Sequence, residues 1–134
     1  HQKMDVDHQL IRELSTTTAS QHDNTINLIE DGDVAGFRDK GYFGTALPKN
    51  VVDETMGRNV RGRKLNGGQL RRNARISKIR SPGERPFAVI KEIFHGGVVY
   101  VTSRERVHAK NTFWCFAYNL YQLVTLRRKA LLHD

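Results

Sequence analysis

The sequence predicts an α/β fold: a mixed sheet over residues 3–38, a basic insertion, and then two helices packing on the sheet. Three observations predict it. Residues 3–19 alternate loosely between apolar and polar, as strands do. The compact apolar run Val34-Ala35-Gly36-Phe37 leads straight into Asp39. Residues 81–94 and 107–132 space their apolar side chains at helical intervals.

Residues 3–7 form a short strand and residues 10–18 a β-rich second one, with His8-Gln9 as the turn of an antiparallel hairpin. Asp23-Asn24 looks like an N-cap for a short helix carrying Ile26, Leu28 and Ile29 on its apolar side, ended by Asp31-Gly32-Asp33. Residues 34–37 read as a buried strand that delivers Asp39 into a Gly-containing loop. Residues 44–80 are polar, basic and Gly-rich, so a loop with partial helix is expected, ordered only on a partner. A helix follows over residues 81–94, with Phe87, Ile90 and Phe94 on one face, and His95-Gly96-Gly97 breaks it. Residues 98–102 read as a strand or an extended segment. The last helix, about 107–132, has the stripe Phe113, Phe116, Ala117, Leu120, Val124 and Leu131. Arg127-Arg128-Lys129 lie near its C-terminal end, where the helix dipole favours cations.

A length of 134 residues fits one domain and can bury a core. Cys115 is the only cysteine, which excludes an internal disulfide and any multi-cysteine zinc site. It lies in an apolar run and reads as a packed thiol. No stretch approaches the roughly 20 apolar residues needed to cross a bilayer. The first ten residues are polar and mixed in charge, unlike a signal peptide. The chain opens on His1 and a strand pattern begins almost at once, so a piece of a longer protein is expected.

Charge is segregated. Residues 1–57 hold five basic and ten acidic side chains, whereas residues 58–91 hold eleven basic ones and a single carboxylate, Glu84. A one-sign block of this density points to a polyanion, above all nucleic acid. A lone acid there would be repelled by the phosphates its neighbours attract, unless it holds a divalent cation that bridges to phosphate.

Glu84 has two readings. Ser81-Pro82-Gly83-Glu84 matches a capping box, with Ser as N-cap and Glu at the third helical position. Pro86 opposes that reading, because it would disturb the first turn and bias Arg85 away from helical angles. The helix then starts at Pro86 and leaves Glu84 just outside it or in a distorted turn. Asp39 also has two: it can open a turn with Lys40 and Gly41, or sit at the C-terminal end of a central strand, where open α/β sheets place their chemistry. Glu84 and Lys91, two turns apart, share a helix side, with Arg80 just before them. That set suits a phosphodiester site. His22 and His95 have no partner at metal-ligand spacing. Trp114, Tyr118 and Tyr121 read as core or partner-facing aromatics.

The spacing Arg80, three residues, Glu84, six residues, Lys91 resembles the C-terminal signature of the insertion-sequence transposases of the DDE class. The run over residues 71–91 is similar to that family's segment ending in the catalytic Glu, and Asp39-Lys40-Gly41-Tyr42 to its second-Asp motif. Residues 15–23 resemble the stretch between the sheet hairpin and the first helix. Ala109-Lys110-Asn111 and Asn119-Leu120-Tyr121 fit the closing helix.

The resemblance implies a ribonuclease-H-like mixed sheet with packing helices, its first strand missing here. It implies Asp39 and Glu84 as catalytic and metal-binding carboxylates for Mg²⁺ or Mn²⁺. Arg80 and Lys91 would contact DNA, with Arg71, Arg72, Arg75, Lys78 and Arg85 around them. The partners would be transposon ends and target DNA, and the complete protein a homodimer on paired ends, cytoplasmic and nucleoid-associated, with no membrane role. Two positions depart from the pattern. Ser77 stands where the family often has Tyr. The first catalytic Asp belongs on a strand before the hairpin, and Asp5 and Asp7 are on the wrong strand for it. The expectation is a single truncated catalytic domain, inactive alone. The alternative is a non-enzymatic nucleic-acid-binding module in which Glu84 only caps a helix.

Overall fold

The computed structural model describes residues 1–18, 20–21 and 25–132. In chain order its elements are β1 (Gln2–Met4), β2 (Ile11–Leu14), β3 (Ala35–Arg38), a 3-10 turn (Lys40–Tyr42), β4 (Val52–Thr55), α1 (Gly67–Arg80), a second 3-10 turn (Ser81–Glu84), α2 (Arg85–Glu92) and α3 (Arg104–Leu131). They form two compact units, His1–Thr18 with Gly83–Asp134, and Ala19–Pro82. The result is a mixed α/β architecture with two small sheets, β1-β2 and β3-β4.

In the first unit β1 and β2 form the expected antiparallel hairpin, with Lys3 opposite Glu13 and an irregularity between Lys3 and Met4. The Asp5 carboxylate accepts from the His8 N–H, and Gln9 closes the turn with φ 58°. Ile11, Val89 and Tyr118 make the buried core, with Ile90, Phe94 and Cys115 packed against it.

Polar side chains of α3 fasten the hairpin. Asn119 Oδ1 accepts from the Ile11 N–H at 2.8 Å, and its Nδ2 donates to the Ile11 carbonyl at 2.8 Å. The Tyr118 hydroxyl donates to the Gln9 carbonyl at 3.0 Å, and Gln122 Nε2 to that of His8 at 2.8 Å. The predicted apolar stripe of this helix is therefore not the packed one. Phe113 and Phe116 are 73% and 61% exposed, and Leu120, Val124 and Leu131 are exposed too. The face one step away, through Cys115, Tyr118 and Gln122, meets the hairpin because it can satisfy strand carbonyls that an apolar face would leave unpaired.

The expected helix over residues 81–94 is shorter. Residues 81–84 form the 3-10 turn, and α2 starts at Arg85, with Pro86 in the first turn where its missing N–H has no intrahelical partner to lose. On α2, Val89 is buried and Ile90 and Phe94 pack on the core, whereas Phe87 is exposed. At Gly96 a Cβ would lie 2.7 Å from Ile90 Cγ2 and 2.9 Å from Trp114 Cε2, so the chain turns there only without a side chain. Residues 98–102 form no strand.

In the second unit β3 and β4 pair in parallel, from Ala35 opposite Val52 to Arg38 opposite Thr55. The strand over 34–37 is thus present, shifted by one residue. Residues 26–30 form no helix, and the expected cap Asp23-Asn24 lies outside the described residues. The stretch 44–80 is more ordered than a loop: it supplies β4 and the whole of α1. That helix opens with a reciprocal capping box, in which Asn66 Oδ1 accepts from Gln69 N–H and Gln69 Oε1 accepts from Asn66 N–H. It buries Ile76 completely. Asn73 pairs with both backbone groups of Gly57, at 2.9 and 2.8 Å, as Asn119 does with Ile11.

Asn119→Ala strands two part-buried backbone groups at once. We expect it to lower stability by about 2–3 kcal/mol, measured by urea unfolding.

Candidate nucleic-acid interface

Asp39 follows the last residue of β3 and N-caps the 3-10 turn. Its Oδ1 accepts from the Gly41 N–H at 2.7 Å, and its Oδ2 faces Arg80 Nη1 at 3.7 Å. The carboxyl is about half exposed (48%), leaving room for a further cation. The turn reading and the strand-end reading of Asp39 thus describe the same residue, which opens a turn and still presents an oxygen outward.

The residue before it, which sequence reasoning passed over, is the buried anchor of this strand end. Arg38 is 7% exposed; its Nε donates to Thr55 Oγ1 at 2.8 Å and its Nη2 to the Thr45 carbonyl at 2.8 Å. Its Nη2 also lies 3.5 Å from Asp53 Oδ1. An arginine ending an apolar strand was the available signal, because a buried guanidinium must find several acceptors. Partial burial pushes Asp53 up, but hydrogen bonds from Thr55 and the charge of Arg38 outweigh it and hold the carboxyl below its usual value.

The basic residues of α1 divide into two groups. Arg72 donates to the Thr55 and Asp53 carbonyls at 2.8 and 2.9 Å, and pairs with Glu54 at 3.0 Å. Arg75 pairs with the other Glu54 oxygen at 2.6 Å. Glu54 is only 16% exposed, so these arginines tie α1 to β4. Arg80 pairs with Asp39. Arg71 and Lys78 are exposed, and among the described residues their side chains form no ion pair.

Glu84, Arg85 and Lys91 belong to the other unit. Glu84 occupies the N-cap position of α2, yet its exposed side chain makes no capping hydrogen bond. Ser81 ends α1 instead, and its hydroxyl donates to the Lys78 carbonyl at 3.3 Å, so the Ser81–Glu84 capping box does not form. Lys91 is 72% exposed and 3.8 Å from the equally exposed Glu92, a pair of little strength. Burial pushes the Tyr118 hydroxyl up, while the nearby charge of Arg85 pulls it down. Burial likewise pushes the Cys115 thiol up, which fits a packed thiol and not a nucleophile.

Among the described residues no three His, Cys, Asp or Glu side chains come together as a metal-binding group. The donors at Asp39 and Glu84 are hard carboxylate oxygens of the kind Mg²⁺ and Mn²⁺ accept. Each unit supplies one of them. Among the described residues no helix is long and apolar enough to cross a membrane.

An α/β chain with these exposed cations falls in the class of basic proteins suited to a polyanion. It belongs to the transposase DDE domain family, whose model matches residues 1–120. No curated protein and no solved structure matches it at a significant level.

The lowered Asp53 value sets a pH dependence. A carboxyl more acidic folded than unfolded stabilises the fold above its unfolded value, near 4, and that contribution is lost as pH falls through the folded value. Acid titration of stability should therefore be shallower below about pH 4 in Asp53→Asn than in the unaltered chain.

Proposed function

We propose that this chain supplies Asp39 and Glu84, together with a DNA-gripping basic surface, to a metal-dependent transposase site that cleaves and transfers DNA strands. Membership of the transposase DDE domain family supports the reading. The observation that carries it is Glu84. It is the sole carboxylate in the basic window over residues 58–91, it is exposed, and it spends no hydrogen bond on the helix it begins. The alternative, a binding module in which Glu84 merely caps α2, needs the bond that is missing.

In this reading the chain is part of a ribonuclease-H-like mixed-sheet domain, and none of its residues is assigned the role of the first catalytic Asp. Asp39 and Glu84 would hold Mg²⁺ or Mn²⁺, which supplies the Lewis acidity for in-line attack of water or a 3′-hydroxyl on a phosphodiester. The chain's own residues prepare that site. The Gly41 N–H fixes the orientation of the Asp39 carboxyl, leaving Oδ2 outward beside Arg80. Arg38 holds the end of β3 that carries Asp39. Lys91 offers an exposed ammonium, only weakly paired with Glu92, on the helix that follows Glu84, and Arg71, Lys78 and Arg85 add positive charge along α1 and α2. The substrates are transposon ends and target DNA, and the active form is a homodimer on paired ends.

Glu84→Gln and Asp39→Asn, each made in the intact transposase, should abolish strand cleavage while DNA affinity stays nearly unchanged. Gel analysis of cleavage products beside a binding titration checks this, and normal cleavage by either variant would overturn the assignment.

A further inference from the structure

Resting on the DNA-binding part of that reading, we infer that its main phosphate contacts are made by a tight basic turn at residues 60–64, and not by Arg72 and Arg75 of α1. Val60 and Arg63 bond each other reciprocally, Val60 N–H to the Arg63 carbonyl at 3.2 Å and Arg63 N–H to the Val60 carbonyl at 2.9 Å. Arg61 and Gly62 form the tip. Gly62 has φ 78°, which a side chain would strain, although a Cβ there would meet nothing within 4 Å. The Leu65 N–H donates to Asn59 Oδ1 at 2.9 Å and ties the two ends of the turn together.

This geometry puts Arg61, Arg63 and Lys64 on one short, fully exposed projection. Among the described residues none of their side chains forms a hydrogen bond or an ion pair. The Arg58 guanidinium lies over the Phe43 ring, 5.5 Å from its centroid, at the base of the same segment. No Asp or Glu occurs between residues 55 and 83, and the two acids just before, Asp53 and Glu54, are already taken by Arg38, Arg72 and Arg75.

Three like charges in four residues repel one another in the free chain; the phosphates of a polyanion neutralise them, and the counterions condensed on it are released. Guanidinium forks match phosphate oxygens in pairs, and a glycine tip lets the backbone approach a duplex closely. By contrast, Arg72 and Arg75 can reach phosphate only by giving up Glu54. The turn reads backbone charge and not base sequence, so it grips any duplex DNA.

The test is the salt dependence of binding of the whole chain to a labelled DNA duplex between about 50 and 200 mM salt. Arg61→Ala/Arg63→Ala/Lys64→Ala should lower the slope of log K against log salt by about 2–3, equally on unrelated sequences. Arg61→Lys/Arg63→Lys, which keeps the charge, should leave the slope within roughly one of the unaltered value. The single variant Arg61→Ala should lower it by about one, which keeps the test open if the triple variant misfolds. An unchanged slope in folded alanine variants, with the chain still binding DNA, would overturn this inference and leave the transposase reading standing. Absence of salt-sensitive binding by the unaltered chain would overturn both.

Discussion

A two-stranded β ladder is marginal in water, and this chain contains two of them. What makes each one hold is a helix whose polar side chains bond directly to strand or loop backbone. Asn119, Tyr118 and Gln122 do this for the hairpin; Asn73 and Arg72 do it for the parallel pair and the segment just after it. A side-chain amide that both accepts from and donates to one backbone residue reproduces part of what a neighbouring strand would supply. The small apolar core of the hairpin unit is organised around that polar seam.

The same economy sorts the positive charge. Arg38, Arg72 and Arg75 are structural ions whose carboxylate and carbonyl partners lie on β4 or in the loop before it. Their removal would disturb the fold before it disturbed any contact with DNA. Arg61, Arg63, Lys64, Arg71 and Lys78 are exposed. A basic window that looks uniform in the sequence is thus two populations, one holding α1 in place and the other facing solvent. At Asp39, Arg38 fixes the strand before it and Arg80 lies 3.7 Å from its Oδ2.

The legible parts of the sequence were those with local signals. The hairpin, the run into Asp39, the long last helix and the break at His95-Gly96-Gly97 all follow from short-range pattern and turn chemistry. Pro86 marked the start of α2 to within one residue, because its ring excludes it from a helix interior, although Arg85 before it is already helical. The misses have physical causes. The strand β4 is four residues long and half acidic, so its identity depends on pairing with β3 and on the arginines that meet Glu54. Two glycines in the first turn of α1 obscured a helix that the Asn66–Gln69 box announces. The stripe of α3 was misplaced because apolarity was weighed above the need of strand carbonyls for donors. The carboxylates Asp39 and Glu84 were legible as residues, through the oddity of a lone acid and a strand end. That Glu84 makes no cap could be read only from the folded chain.

Asp39 and Glu84 are proposed as metal-binding carboxylates of the intact transposase. The most direct test replaces Mg²⁺ by Fe²⁺ in the intact transposase bound to its DNA and maps where metal-generated hydroxyl radicals cut the polypeptide. The account predicts cuts beside both Asp39 and Glu84, each suppressed by excess Mg²⁺. Cuts beside only one of them, or at neither, would contradict it.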